Sequence, residues 1–221
     1  MVDYDHVRNS GIRLVGVSAG YGSGPRILDN LSLTLPRFGV FRLTGANGVG
    51  KSTLLDVCSG YLPVSSGRVE VAGSDPRTAE GKERRRVVRA HPALFPAMTV
   101  RDHLTVAARA SRTPVEALAR RAEQLGLNDW LDYEVAALST GTAAKVWWLL
   151  CTPGRFEVAL IDEPFGALDA PSSAIVASEI NEFGARGLVL LVTHTMPAGL
   201  TVSGEIRLGM GVVSTTKALE V

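Results

Sequence analysis

The residues with the most evident chemistry lie in GANGVGKST, where Gly45, Ala46, Asn47, Gly48, Val49, Gly50, Lys51, Ser52 and Thr53 carry the spacing G-x4-G-K-S. Glycines let the backbone curl until successive N–H groups point at one anion, and a following helix adds the partial positive charge of its N-terminus. In such a loop the lysine, Lys51, reaches the β and γ phosphates and the hydroxyl of Ser52 can ligate magnesium. A second cluster, VALIDEP, ends in two acids. Asp162 is placed to hold magnesium directly or through water, and Glu163 to orient and deprotonate an attacking water. His194 follows another apolar run, LVLLV, in THT. Together these residues suit binding and hydrolysis of a nucleoside triphosphate.

The elements around them say how they would be positioned. IRLVGV, LSLTL and GRVEVAG alternate apolar and polar residues, which predicts half-buried strands of an antiparallel sheet with one wet face. VFRLTG leads into the glycine-rich turn and a helix whose expected apolar face is Leu54, Leu55, Cys58 and Leu62. VALI and LVLLV are unbroken apolar runs, the pattern of parallel strands buried on both faces. In an open α/β sheet ligands bind at the carboxyl ends of strands. Three strand ends, before Gly45, at Asp162 and at His194, therefore point at one site.

Between these parts the chain turns helical. TVRD at Thr99–Asp102 and TPVE at Thr113–Glu116 both match a capping box, the second with Pro114 at the first helical position. Val115, Leu118, Ala122 and Leu125 follow at helical spacing and Gly126 is the expected stop. Residues from about 96 to 150 thus read as a helical subdomain inserted into a sheet-bearing core. LSTGT, residues 138–142, opens a new helix with hydroxyls and a glycine, which by itself says little. The adjacent Trp147 and Trp148 cannot share one helix face, so one is expected in the core and the other against a neighbour. KERRR at Lys82–Arg86 reads as a solvated face. Tyr21, in SAGYGSGP, is either a turn aromatic or a ring for stacking on adenine.

Composition narrows the field. Lys and Arg number 23 against 22 Asp and Glu in 221 residues, so no global field favours nucleic acid or an acidic membrane surface. Cys58 and Cys151 are too few for a disulfide scaffold, and a reducing, cytoplasmic setting is expected. The polar start MVDYDHVRNSG is unlike a signal peptide, and no apolar run approaches the ~20 residues of a spanning helix. A hydrophobic content of 46% hints at a surface covered by a partner.

The order of phosphate loop, helical insert, LSxGx, LIDEP, GALD and THT resembles the ATP-binding domains of ABC-type ATPases over essentially the whole chain. The resemblance implies a P-loop NTPase core with a parallel sheet, an N-terminal antiparallel β subdomain and the inserted helical subdomain, all in one domain over 1–221. It implies ATP and Mg2+ as ligands, Tyr21 stacking on adenine, Glu163 as general base and His194 at the γ-phosphate. It also implies that Ser139 and Gly141 of LSTGT touch the γ-phosphate bound by a second subunit, and that Asp169 of GALD bridges to that subunit. Thr140 and Thr142 depart from the usual glycine and glutamine of the signature. Ala90 stands where the family has a glutamine that meets magnesium, the attacking water and the membrane partner, so either His91 or water substitutes or coupling weakens.

The expected function is the ATP-hydrolysing subunit of an ABC transporter. It would act as a homodimer or heterodimer on separate membrane-spanning subunits at the inner face of the cell membrane, with no nucleic acid partner. With the chain ending soon after the His194 strand, no regulatory domain is expected. The alternatives are a soluble ABC ATPase, such as an iron–sulfur assembly type, and a weakly active nucleotide-sensing subunit paired with a more active one.

Overall fold

The computed structural model describes residues 10–209 and the backbone of 213–217; the polar start of the sequence, residues 1–9, lies outside them. Strands β1 (Ser10–Ala19), β2 (Leu28–Pro36) and β4 (Ser66–Val71) form a three-stranded antiparallel sheet in the order β2-β1-β4. This is the sheet predicted from period two. Its apolar set, Ile12, Leu14, Leu31, Leu33, Leu35 and Val71, faces inward and is buried.

The second sheet has six strands in the order β5-β6-β7-β3-β8-β9. These are β3 (Gly39–Thr44), β5 (Arg85–Val88), β6 (Val158–Asp162), β7 (Leu188–Val192), β8 (Gly204–Leu208) and β9 (Val213–Lys217). The pairs β5–β6, β6–β7, β7–β3 and β3–β8 are parallel, and β9 closes the edge antiparallel to β8. The architecture is the expected one, a parallel sheet beside a separate antiparallel sheet.

The continuous apolar runs are explained by two cores. Val158 and Leu160 of β6, with Leu188, Leu190 and Val192 of β7, face the antiparallel sheet and helix α1 (Lys51–Cys58). Ala159 and Ile161, with Val189 and Leu191, face α5 (Thr140–Cys151) and α6 (Ala170–Arg186) on the opposite side. Alternation persists, but each face meets a hydrophobic layer, so no position can be polar. Each fully buried aliphatic side chain contributes about 1.5–3 kcal/mol, which keeps the three site-bearing strand ends in register.

The remaining helices are α2 (Ala79–Glu83), α3 (Val100–Ser111) and α4 (Val115–Gln124). The capping box at α3 is present in full: Thr99 accepts from the Asp102 backbone N–H, and Asp102 accepts in return from that of Thr99. Gly126, φ +70°, follows the end of α4 as expected.

Three expectations need correction. Pro114 is the cap of α4 rather than its first residue, and no side chain caps the helix; the Thr113 hydroxyl is taken up by Ser111, 2.8 Å away. Helix α1 ends at Cys58, so Leu62 is buried from the loop beyond it. Of KERRR only Lys82 and Glu83 are fully on the surface. Arg85 is buried, donating to the Ser59 carbonyl, and Arg86 donates to the Pro153 carbonyl at 3.0 Å, because β5 packs directly against β6. Of the tryptophan pair, Trp148 is the expected core member. Trp148 is buried, stacked on Phe183 and donating to Glu179, while Trp147 lies at the margin of the same core.

Candidate active site

The phosphate loop connects the end of β3 to α1. Gly45 has φ +149°, and a Cβ there would fall 2.5 Å from the Leu208 carbonyl oxygen, so only glycine lets the loop leave the sheet at this point. Gly50 caps α1 at φ +107°, its absent side chain leaving room for Ile27. Lys51 Nζ lies across the mouth of the loop, donating to the carbonyls of Gly45 at 2.9 Å and Ala46 at 3.1 Å. Thr53 is buried and helps to seat the helix.

Ser52 donates to Asp162 Oδ2 at 3.3 Å, joining the loop to the end of β6. Burial pushes the Asp162 carboxyl above the usual carboxylate range; the Ser52 hydrogen bond opposes the shift, Glu163 adds to it, and Arg89 and Asp56 act more weakly in opposite directions. A hydroxyl and a carboxylate brought together beside a phosphate loop are the hard oxygen donors that magnesium takes. Among the described residues no group of three or more His, Cys, Asp or Glu could hold a metal unaided. A cation here would therefore need phosphate oxygens or water as well.

Glu163 has a backbone that a side-chain-bearing residue rarely adopts, φ +47°. Strain of this kind costs about 1–3 kcal/mol and clusters at functional sites. Its N–H donates to the Val192 carbonyl at 2.8 Å, which pins it beside the end of β7. Oε2 accepts from the His194 N–H at 3.2 Å. Oε1 is buried without a hydrogen-bond partner and has His194 Nε2 at 3.5 Å. An acceptor left open in this way is what a general base requires. The imidazole of His194 is otherwise exposed.

Tyr21 occupies the loop after β1. The residue is 44% exposed, and its hydroxyl donates to Asp56 Oδ2 at 2.5 Å. Burial raises the phenol above its ordinary value, and the hydrogen bond to Asp56 adds to the shift.

The other predicted residues form a second group. Ser139 caps α5, accepting from the Thr142 N–H at 3.1 Å, and the two hydroxyls lie 2.8 Å apart. A Cβ on Gly141 would come within 2.9 Å of the Ala167 carbonyl, so glycine is needed for LSTGT to lie against GALD. Asp169 caps α6 through the Ser172 N–H at 2.8 Å and pairs with Lys145 Nζ of α5 at 3.0 Å. These contacts hold its carboxyl well below the usual range, at about 2. Among the described residues no hydrogen bond or ion pair joins this group directly to the phosphate loop, Asp162, Glu163 or His194.

Ala90 and His91 are both exposed in the bend after β5. The buried His103 holds the loop beyond them, with Nε2 accepting from the Phe95 N–H at 3.0 Å and Nδ1 2.9 Å from the Thr99 carbonyl. Three residues that the sequence reading passed over belong to the site: Asp56, Arg89 and Lys145. An acid on an otherwise apolar face of α1 was the available signal for Asp56. Arg89 and Lys145 gave none, since their partners are distant in sequence.

Residues 28–166 match the ABC transporter family. The chain is 30% identical over 188 residues to the bicarbonate transport ATP-binding protein CmpD of Synechocystis sp., covering 81% of this chain and 66% of that protein. It is 32% identical over 186 residues to the sulfate/thiosulfate import ATP-binding protein CysA of Nocardia farcinica, with 81% and 56% covered. To the putrescine transport ATP-binding protein PotG of Escherichia coli it is 30% identical over 192 residues, with 84% and 51% covered. The chain thus spans between about half and two thirds of these relatives. Among solved structures, an ATP-binding subunit of an ABC transporter superposes with TM-score 0.81 at 24% identity, over 93% of this chain and 89% of that one. A nucleotide-free ATP-binding cassette gives 0.72 at 19% identity, over 95% and 92%.

Proposed function

Given that this chain belongs to the ABC transporter family, we propose that it binds ATP with magnesium and hydrolyses it to drive transport through separate membrane-spanning subunits. The observation that carries this reading is the junction at the strand ends. The phosphate loop is hydrogen-bonded through Ser52 to Asp162, beside a Glu163 carboxylate with one oxygen open. Loop N–H groups and Lys51 hold the triphosphate, and Ser52 and Asp162 hold magnesium. The bound cation supplies charge neutralisation at the β and γ phosphates. Glu163 Oε1 takes the proton of the attacking water, and the His194 backbone N–H keeps Oε2 turned away from that task. The exposed His194 imidazole lies 3.5 Å from Oε1 and is the group available to the γ-phosphate.

Ser139, Gly141 and Asp169 serve a second copy or a related subunit, facing head to tail. The α3–α5 stretch, about 96–150, is the helical subdomain of a single domain over 1–221. No helix among the described residues is long and apolar enough to cross a membrane. The membrane-spanning subunits are separate chains in this reading, which places the protein at the inner face of the membrane. The relatives' names as import and transport ATP-binding proteins support it.

Glu163→Gln tests the chemical step. It should keep ATP binding while steady-state hydrolysis falls by ~100-fold or more, the scale of a lost general base. Hydrolysis near the parent rate would remove Glu163 from the mechanism. One feature favours a weakly active variant of the same reading. Ala90 is exposed and carries only a methyl group, so basal hydrolysis should be low and only modestly stimulated by the partner.

A further inference from the structure

The surroundings of Tyr21 form a connected unit that no step above uses. Asp56 is only 5% exposed, yet its carboxylate receives two donors, the Tyr21 hydroxyl on one oxygen and the Arg89 guanidinium on the other. Arg89 is itself held at both ends. Its guanidinium lies 5.3 Å from the centre of the Tyr61 ring, a cation–π distance, and its backbone carbonyl accepts from Trp147 Nε1 at 2.9 Å. Asp56 stands on α1, the helix whose first turn faces the phosphates, about 7.5 Å along the axis from Lys51. One rigid helix therefore carries the phosphate-binding end and, further along, the carboxylate that grips the tyrosine.

We propose that Asp56 and Arg89 are a positioning pair that fixes the Tyr21 ring for a nucleobase, and so sets how much better the chain binds ATP than a bare triphosphate. The inference rests on the nucleotide-binding reading of the phosphate loop. The physical cause is preorganisation. A half-exposed tyrosine on a loop samples several rotamers, and each must be given up when a base stacks on it. A hydrogen bond to a carboxylate is roughly twice as strong as a neutral one, so it selects one rotamer before the ligand arrives. Arg89 makes that carboxylate tolerable in a buried place, since an unpaired buried charge is strongly unfavourable. Neither residue touches the nucleotide. Both act through Tyr21.

Equilibrium binding of ATP and of inorganic tripolyphosphate, each with magnesium, separates this from a merely structural role. Both ligands use the phosphate loop, but only ATP presents a base. The parent should bind ATP more tightly than tripolyphosphate. Arg89→Ala and Tyr21→Phe should each weaken ATP by about tenfold, the equivalent of one charge-assisted hydrogen bond, and leave tripolyphosphate within about twofold. The double variant should lose little beyond either single one, because both remove the same restraint. Arg89→Lys should recover part of the ATP affinity. Tyr21→Phe removes one hydroxyl from a half-exposed ring, so its outcome counts even if Arg89→Ala folds poorly. An unchanged ATP affinity in Tyr21→Phe overturns the proposal, as does an equal fall for both ligands in Arg89→Ala. A parent that binds the two ligands equally overturns it while leaving the phosphate loop standing. A parent that binds neither removes the nucleotide reading as well.

Discussion

The strand-end corner and the start of α5 are both polar, and both hold residues read as functional, but their groups are satisfied in opposite ways. At the corner, Glu163 keeps a strained backbone and an oxygen without a hydrogen-bond partner, and Asp162 carries a carboxyl raised by burial. At α5, Ser139 is engaged as a cap, Asp169 has both a backbone N–H and Lys145, and Gly141 lies against Ala167. Unmet demand marks a place where chemistry is done on a ligand, because a preorganised site carries its cost before the ligand arrives. A satisfied and exposed surface has no such demand. If it serves catalysis, it does so by presenting a shape to something else.

The largest effect that could break this contrast comes from mixing two defective chains. Lys51→Ala removes phosphate binding at the corner of its own chain, and Ser139→Arg blocks the α5 surface offered to another. Each protein alone should be inactive. In a mixed dimer one composite site carries both defects and the other carries neither, so mixing should restore part of the hydrolysis. A Ser139→Arg chain that hydrolyses ATP normally, with dimerisation confirmed, would reduce LSTGT to a helix cap. The lost cap alone costs about 1 kcal/mol, so the variant should stay folded.

Next in size is Gly141→Ala. The added carbon would meet the Ala167 carbonyl at 2.9 Å, and a backbone atom cannot yield as a flexible side chain does. Overpacking of this kind costs about 1–3 kcal/mol. The displacement falls on GALD, which leads to Asp169. Hydrolysis at saturating ATP should drop by about tenfold, the equivalent of 1.4 kcal/mol, while ATP affinity at the corner stays near that of the parent. A fall in affinity instead would mean that the two regions are coupled inside one chain.

The sequence made the corner legible and left much of its support unread, for a physical reason. Phosphate loops are local: glycines, lysine and serine act within one turn, so spacing alone reveals them. VALI and LVLLV were legible because burial on two faces forbids polar residues. The links that aim these parts are long-range, as with Asp56 to Arg89 and Lys145 to Asp169, and such pairing leaves no local period. TPVE misled because the Thr113 hydroxyl found a nearer partner in Ser111 than the helix N-terminus. KERRR misled because charge density says nothing about which arginine lies under a neighbouring strand. The longest helix, α6, went unread; small residues and Pro171 near its start leave it only a weak apolar stripe.

A smaller change sharpens the reading of the loop between the regions. Ala90→Gln places an amide where the exposed methyl group now stands. Partner-stimulated hydrolysis should rise about two- to fourfold, well below the ~100-fold or more of a general acid or base, with the basal rate nearly unchanged. Should Ala90→Gln have no effect while His91→Ala abolishes stimulation, the imidazole has taken over the role.

The smallest effect is also the most direct test of the contrast, because the two regions predict opposite signs. The Asp162 carboxyl is raised in the folded chain, chiefly by burial. An acid with a raised folded pKa holds its proton more tightly when folded. Stability is then greatest below the unfolded pKa and declines as pH rises through the folded one. At neutral pH the ionised Asp162 therefore opposes folding, and Asp162→Asn should raise Tm in the absence of nucleotide. The gain should shrink as pH is lowered into the carboxylate range. Asp169 behaves in reverse. Its folded value is depressed to about 2 by the Ser172 and Lys145 contacts, so its contribution is present above the unfolded pKa and is lost as pH falls toward 2. Asp169→Asn keeps a side-chain oxygen for the cap but loses the ion pair, and should lower Tm slightly at neutral pH; exposure and salt screening keep the change small. Added ATP and magnesium should reverse the order only at the corner, stabilising the parent above Asp162→Asn. If both substitutions lower Tm without ligand, the corner is as satisfied as the α5 surface, and the contrast between them fails.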